Sequence, residues 1–367
     1  MKIEVYSPTI RRKEMDAVLT AMVEDKIGPG GEAKLLIQTA KERIKFDYCL
    51  ALRSPAIALH LALKSLDLKA GQGVVISALS PLYYTWVIND LGLSVIYCDV
   101  LPSSTCVGRE TVEKAITSGP EPRCIIVHHT LGYVSDTEQI AELGLPIIED
   151  CSQSYGTVMG YANDDDSSAA ANAAAGGVNA ENAVHGNVGM FTILGLEERD
   201  MLTSGGGALL YSASRRDGSM LRSLGDLPSE YGLPDMNAAL AVVQFRESAK
   251  NISKRAEIAR LYTQSVLRTR HRQLADNNLQ YNNYAFSVIL ETGMKDARAY
   301  AKRKDIAVES AFENTPAGHA PEENGTDIPV KCPEAFSLSL RTLLFPIYPR
   351  LTMADAGKVS KLIQALP

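Results

Sequence analysis

The chain has no lysine between Lys114 and Lys250, so residues 115–249 contain no primary amine on any side chain. It also has no apolar run near the roughly 20 residues that a helix through a bilayer needs, which argues against a membrane partner. The first residues, Met1-Lys2-Ile3-Glu4-Val5, lack the apolar core of a secretory leader, and cytoplasmic localisation is expected. There is no excess of positive charge. Lys and Arg number 37 against 43 Asp and Glu, a net charge of −6, whereas a nucleic-acid protein should carry a basic face. The six cysteines (Cys49, Cys98, Cys106, Cys124, Cys151 and Cys332) show no CxxC or paired spacing, so neither a disulfide framework nor a zinc site is expected. Cys98, Cys124 and Cys151 sit in or beside apolar runs and read as small core residues in a reducing compartment. His128 and His129 are adjacent. Neighbours on a strand point to opposite faces and cannot grip one ion, so no metal site is expected.

What is present is alternation. Short apolar runs (Val74–Ser77, Val95–Asp99, Cys124–Val127, Pro146–Asp150) are separated by helical segments at residues 55–66, 82–91, 110–118 and 136–143. Continuously apolar strands between helices mean a sheet buried on both faces, hence mostly parallel. Ligands of such sheets bind beyond the carboxyl ends of the strands, where Asp99, His128, His129 and Asp150 fall. Residues 32–47 read as an amphipathic helix after Gly28-Pro29-Gly30-Gly31. Order continues with strands at Val188–Ile193 and Ala208–Tyr211 and a long helix from Asp235 to Leu267. A smaller α/β lobe follows, with a strand at Tyr284–Leu290 and helices at 294–304 and 353–365. The expected organisation is a large domain over residues 1–246 and a small domain with its linking helix over 247–367.

Residues 161–186 are a compositional break, rich in Ala, Asn, Asp and Gly and nearly without large apolar groups. Such a segment buries too little surface to offset its ordering entropy and reads as a surface insertion, with a lid over the site as the functional alternative.

Several runs together resemble the DegT/DnrJ/StrS family of nucleotide-sugar aminotransferases, which depend on pyridoxal phosphate (PLP) and share fold type I. They are Gly28-Pro29-Gly30 before a helix, Ala58–Leu63, and His129-Thr130-Leu131-Gly132 with Asp136. Ile148-Glu149-Asp150-Cys151-Ser152-Gln153 through Gly156, Asn237–Leu240 with Gln244 and Arg255, and Phe345–Thr352 complete the set. The resemblance covers nearly the whole chain apart from the insertion. It implies an α/β fold with a mostly parallel central sheet flanked by helices, a small C-terminal α/β domain, and a homodimer.

The resemblance also implies a cofactor site. Asp150 matches the carboxylate that keeps the pyridine nitrogen protonated, so that the ring acts as an electron sink. Gln153 matches the contact to the ring hydroxyl, and Thr192 falls where a phosphate-binding serine is found. The alternative for Asp150 is a strand-end carboxylate capping the next turn, and for Gln153 and Thr192 the satisfaction of local backbone groups. The imine lysine of the family lies in a segment that reads here Phe191-Thr192-Ile193-Leu194-Gly195-Leu196-Glu197-Glu198-Arg199-Asp200. Counting from Phe191 puts Glu197 at that position, and counting back from Gly207 puts Arg199 there. A carboxylate has no amine, and a guanidinium stays protonated at neutral pH. Some dehydratases of the family use histidine instead, but His185 lies in the insertion, before Phe191.

The phosphate turn reads Arg53-Ser54-Pro55-Ala56. Ser54 and Ala56 are its remaining candidate contacts, Pro55 has no N–H, and Arg53 is either a substitute cation or a surface residue. The stacking aromatic falls on Pro81, with Tyr83, Tyr84 or Trp86 in reach after a local shift. The contact from the partner subunit reads Glu230-Tyr231-Gly232. The first expectation is therefore a family protein without transaminase activity, holding no PLP or PMP, or holding it without a covalent bond, and binding an anionic or nucleotide-sugar-like ligand or serving as a partner subunit. The alternative is a sugar-modifying enzyme, aminotransferase- or dehydratase-like, of altered mechanism, using PLP or PMP or acid–base groups such as His129 and Glu197. A working aminotransferase with its lysine elsewhere, and a purely structural dimer, complete the set.

Overall fold

A computed structural model of the chain describes residues 2–117, 119–157, 188–274, 281–319 and 327–367. The segment 161–186 and His185 lie outside the described residues. The main element is a seven-stranded sheet in the order β1-β7-β6-β5-β4-β2-β3. Its strands are β1 (Tyr48–Leu52), β2 (Gly73–Ser77), β3 (Ser94–Cys98), β4 (Pro122–His128), β5 (Ile147–Asp150), β6 (Phe191–Gly195) and β7 (Ala208–Ser212). β2 to β6 pair in parallel, while β7 runs antiparallel to both β6 and β1. The expected α/β class with a mostly parallel sheet is therefore correct.

Alternation along each strand distributes its residues between two cores. Val74, Ile76, Cys124, Ile126, Ile148, Phe191, Ile193 and Leu210 pack with Leu59, Ala62 and Leu63 of α3 (Pro55–Ser65) and with Tyr84 and Ile88 of α4 (Tyr83–Asp90). On the opposite face, Val75, Ile125, Val127 and Ile147 meet Val112 and Ala115 of α5 (Arg109–Ile116) and Ile140 of α6 (Thr137–Ala141). Leu194, Leu209 and Tyr211 meet the long helix Asp235–Val266 through Ala238, Ala241, Val242 and Phe245. The apolar, β-branched runs that gave the strands away are thus buried on both sides, as parallel sheets require.

Two local readings need correction. The helix expected over 32–47 is α2, Gly31–Lys41, and the chain then turns into β1, which the sequence reading missed. β1 is a half-buried edge strand that pairs with β7, so its pattern lacks the continuous apolar signature. The N-terminal helix α1, Arg12–Val23, was also missed, and it packs on the long helix. Gly30 is needed at the start of α2, because a Cβ there would lie 2.7 Å from an Asp235 carboxylate oxygen. That carboxylate accepts the Ala33 N–H at 3.0 Å and caps the α2 N-terminus.

The second sheet has three strands in the order β8-β10-β9: β8 (Phe286–Ile289), β9 (Glu309–Ser310) and β10 (Thr342–Phe345). It packs against the C-terminal half of the long helix through Ile258, Tyr262 and Val266, and against the final helix Met353–Gln364. The expected domain boundary at residue 246 falls inside the continuous long helix.

Candidate functional site

The carboxyl ends of β2, β4, β5 and β6 converge with the N-terminus of α4. Asp150 ends β5 and is 1% exposed. Its Oδ2 accepts hydrogen bonds from the Tyr84 hydroxyl at 2.5 Å and the Tyr83 hydroxyl at 3.3 Å. Its Oδ1 accepts the Ser152 N–H at 2.9 Å and the Ser152 hydroxyl. An ionised carboxylate offers about four lone-pair positions, and the protein fills them all. Tyr83 and Tyr84 sit edge to face, 4.8 Å between ring centroids, and the Tyr84 ring is fully buried. Burial, reinforced by the Asp150 charge, pushes both phenols well above their ordinary pKa, so both remain donors. His128 lies edge-on to Tyr84, and burial lowers its pKa to about 4, which keeps it neutral.

A second carboxyl group enters from the loop after β6. Asp200 Oδ2 accepts the Glu197 N–H at 2.8 Å. A Cβ at Gly195 would collide with that same oxygen and would lie 2.7 Å from Ser152 Oγ, so only glycine lets the carboxyl approach β6. The Gly195 N–H donates to Ser152 Oγ at 2.7 Å, which links Asp150, Ser152 and β6 in one chain of bonds. Burial raises the Asp200 pKa to about 8, opposed by the Glu197 N–H and increased by the Asp150 and Glu197 charges. Asp200 is therefore protonated at neutral pH. Asp200 is the residue that sequence reasoning missed. Counting singled out Glu197 and Arg199, both just before it. The available signal was an acidic residue closing a tight turn behind a strand-terminal glycine.

The residues singled out beforehand divide by location. Glu197 is half-buried at the mouth of the same loop, and burial raises its pKa. Arg199 points away, pairing with Glu309 at 2.6 Å and lying 5.7 Å over the Tyr6 ring. Gln153 turns toward the His129–Gly132 turn, where its Oε1 accepts the Leu131 N–H at 2.6 Å. That bond helps hold Leu131 at a positive φ of 56°. Thr192 is 1% exposed within β6, in register with Glu149 and Tyr211. Ser54 caps α3, its Oγ accepting the Ile57 N–H at 3.2 Å, and Ala56 lines a cleft with His60, Trp86 and Tyr231. The Arg53 N–H donates to the Tyr231 carbonyl at 2.8 Å, which straps the expected phosphate turn to the 229–231 turn.

His129 is fully buried on the opposite face of the sheet, 3.4 Å from Glu149 Oε2. Glu149 Oε1 accepts the N–H groups of Val188 and Gly189. Burial opposes the charge on Glu149, but the His129 contact and the Gly189 N–H outweigh it and keep the pKa below the usual carboxylate range. Among the described residues no three His, Cys, Asp or Glu side chains gather as a metal site, and no helix is long and apolar enough to cross a membrane.

Residues 8–364 match the DegT/DnrJ/EryC1/StrS aminotransferase family. A dTDP-4-dehydro-2,3,6-trideoxy-D-glucose 4-aminotransferase of Saccharopolyspora spinosa is 25% identical over 98% of this chain and 95% of its own length. An L-glutamine:2-deoxy-scyllo-inosose aminotransferase of Streptomyces fradiae is 34% identical, but the match spans only 30% of this chain and 26% of that protein. Among solved structures, an aminotransferase of Streptoalloteichus hindustanus superposes with a TM-score of 0.81 at 20% identity, covering 99% of this chain and 98% of its own. The Escherichia coli GDP-4-keto-6-deoxy-D-mannose-3-dehydratase with bound hydrated PLP superposes with a TM-score of 0.80 at 13% identity over 99% of each chain.

Proposed function

Since this chain belongs to the DegT/DnrJ/EryC1/StrS aminotransferase family, we propose that it binds a nucleotide-sugar-like ligand without transaminating it, as a cytoplasmic homodimer. The observation that carries the proposal is the loop after β6. Transamination needs an amine that forms an imine with the cofactor and then shuttles a proton. Here Glu197 lines the mouth, Arg199 faces Glu309, and the side chain turned inward is the carboxyl of Asp200. None of the three can form an imine.

The remaining residues fit PLP poorly. The phosphate turn offers Pro55, which has no N–H, and Ala56, which has no hydroxyl. Gln153 Oε1 is taken up by the Leu131 N–H. The nucleotide-sugar ligand class is supported by the family and by relatives named for such substrates. A dimer is supported by apolar residues left in the open: Met15, Leu19 and Met22 on one face of α1, and Trp86, 74% exposed.

Asp200 favours a second reading, an enzyme acting on a sugar by acid–base chemistry. A carboxyl group with a pKa of about 8 gives up and recovers a proton near neutrality.

The test is a visible absorption spectrum of the purified protein with and without added PLP, followed by borohydride reduction and mass analysis. The proposal expects no imine band and no reduced adduct. A lysine-linked adduct would refute it. Titration with a dTDP-hexose by calorimetry tests the ligand, and consumption of that sugar lost in Asp200→Asn would select the second reading. Light scattering tests the dimer, which expects twice the 39.7 kDa of the chain.

A further inference from the structure

Asp150 is buried and both of its oxygens are hydrogen-bonded by its own chain, and this occupancy has a consequence for what the pocket admits. The two bonds to Oδ1 come from one residue, Ser152, locked in place by the Gly195 N–H. The two bonds to Oδ2 come from consecutive tyrosines in the first turn of α4. Tyr84 is as buried as any side chain in the core and packs against His128 and Tyr83. A phenol hydroxyl and a protonated pyridine nitrogen are alike in kind, each a flat aromatic ring donating one hydrogen bond along its edge. A carboxylate with about four acceptor positions, all taken, has none left for another donor. Removing a donor from such a buried carboxylate costs more than an average hydrogen bond returns, so the arrangement is held in place.

We infer that Tyr84, seconded by Tyr83, is the permanent aromatic partner of Asp150, occupying the place of a ring ligand and excluding pyridine-type cofactors from this carboxylate. The inference rests on the proposed loss of imine chemistry but goes further. It says that even non-covalent binding of a pyridine ring at Asp150 is blocked, and it names the residues that block it. Tyr83, at 3.3 Å, is the looser of the two, so Tyr84 at 2.5 Å is the one to change.

The experiment compares wild type, Tyr84→Phe and Tyr84→Ala by thermal melting with three probes: pyridoxine, phenol and PLP. Wild type should show no shift with pyridoxine or phenol at millimolar concentration. Tyr84→Phe keeps the ring but loses the donor. It should melt about 3 °C lower and still ignore both probes. Tyr84→Ala opens a ring-sized cavity, and phenol or pyridoxine should raise its melting point in a dose-dependent way. If Tyr84→Ala does not fold, the Tyr84→Phe shift and the indifference of wild type to pyridoxine still decide the matter.

The inference is overturned if wild type binds pyridoxine and loses that binding in Asp150→Asn, or if Tyr84→Phe melts with wild type. Its failure is distinct from that of the proposed function. Non-covalent PLP binding at Asp150 without a reducible adduct would sink the inference and leave the proposed function standing. A lysine adduct would sink the proposed function directly.

Discussion

Glu149 and Asp150 are neighbours on β5, both buried and on opposite faces of the sheet, yet they are satisfied by different kinds of partner. Glu149 is met by two backbone N–H groups and an imidazole, and it stays charged. Asp150 is met by two phenols and a serine, and nearby Asp200 is kept protonated at neutral pH mainly by its burial. The first arrangement closes a structural contact between β5 and the chain entering β6. The second places acidity at the end of the sheet where this architecture binds ligands. Burial alone does not separate them. What separates them is the kind of partner, backbone N–H groups and an imidazole for Glu149, hydroxyl groups and a neighbouring carboxyl group for Asp150.

The difference can be broken from either side. The largest effect is expected at Glu149. Replacing it with Ala strands the N–H groups of Val188 and Gly189 and the ring of His129, and urea denaturation should show a loss of about 3–4 kcal/mol. Next comes Gly195→Ala, whose Cβ would strike Asp200 and crowd Ser152. A loss of about 2 kcal/mol is expected, partly relieved in the double variant with Asp200→Gly, and an additive double variant would refute the contact.

The two faces also pull stability in opposite directions with pH. The lowered pKa of Glu149 adds stability that is present above its unfolded value of 4.5 and drains as pH falls. The raised pKa of Asp200 does the reverse. Its contribution is complete below the unfolded value of 3.8 and is lost as pH rises through about 8. Asp200→Asn cannot ionise. It should equal wild type near pH 4 and exceed it increasingly as pH rises toward 8, read from denaturation curves across that range. The smallest effect is expected for Arg199→Ala. It removes an exposed ion pair with Glu309 and should cost no more than about 0.5 kcal/mol, with no change in the pH profile.

The fold was legible because its strands are apolar on both faces and its helices alternate with them. Val74–Ser77 and Cys124–Val127 announce a parallel sheet without any knowledge of their partners. β1 was not legible, because Tyr48–Leu52 is half-buried and paired with a strand 160 residues away in sequence. At the site, the position of Asp150 followed from its place at a strand end. Its coordination did not, since it depends on how α4 rolls Tyr83 and Tyr84 toward β5. Asp200 escaped for a related reason. Spacing places a residue along the chain, whereas the close approach allowed by Gly195 decides which side chain of the loop turns inward.

The proposed function stands on Glu197, Arg199 and Asp200 in the loop after β6, none of which can form an imine. The most direct measurement is incubation of the purified protein with PLP, borohydride reduction and mass spectrometry of the peptides. The account expects unmodified lysines throughout. A single lysine carrying the reduced pyridoxyl group, stoichiometric and protected from competing amines, would contradict it.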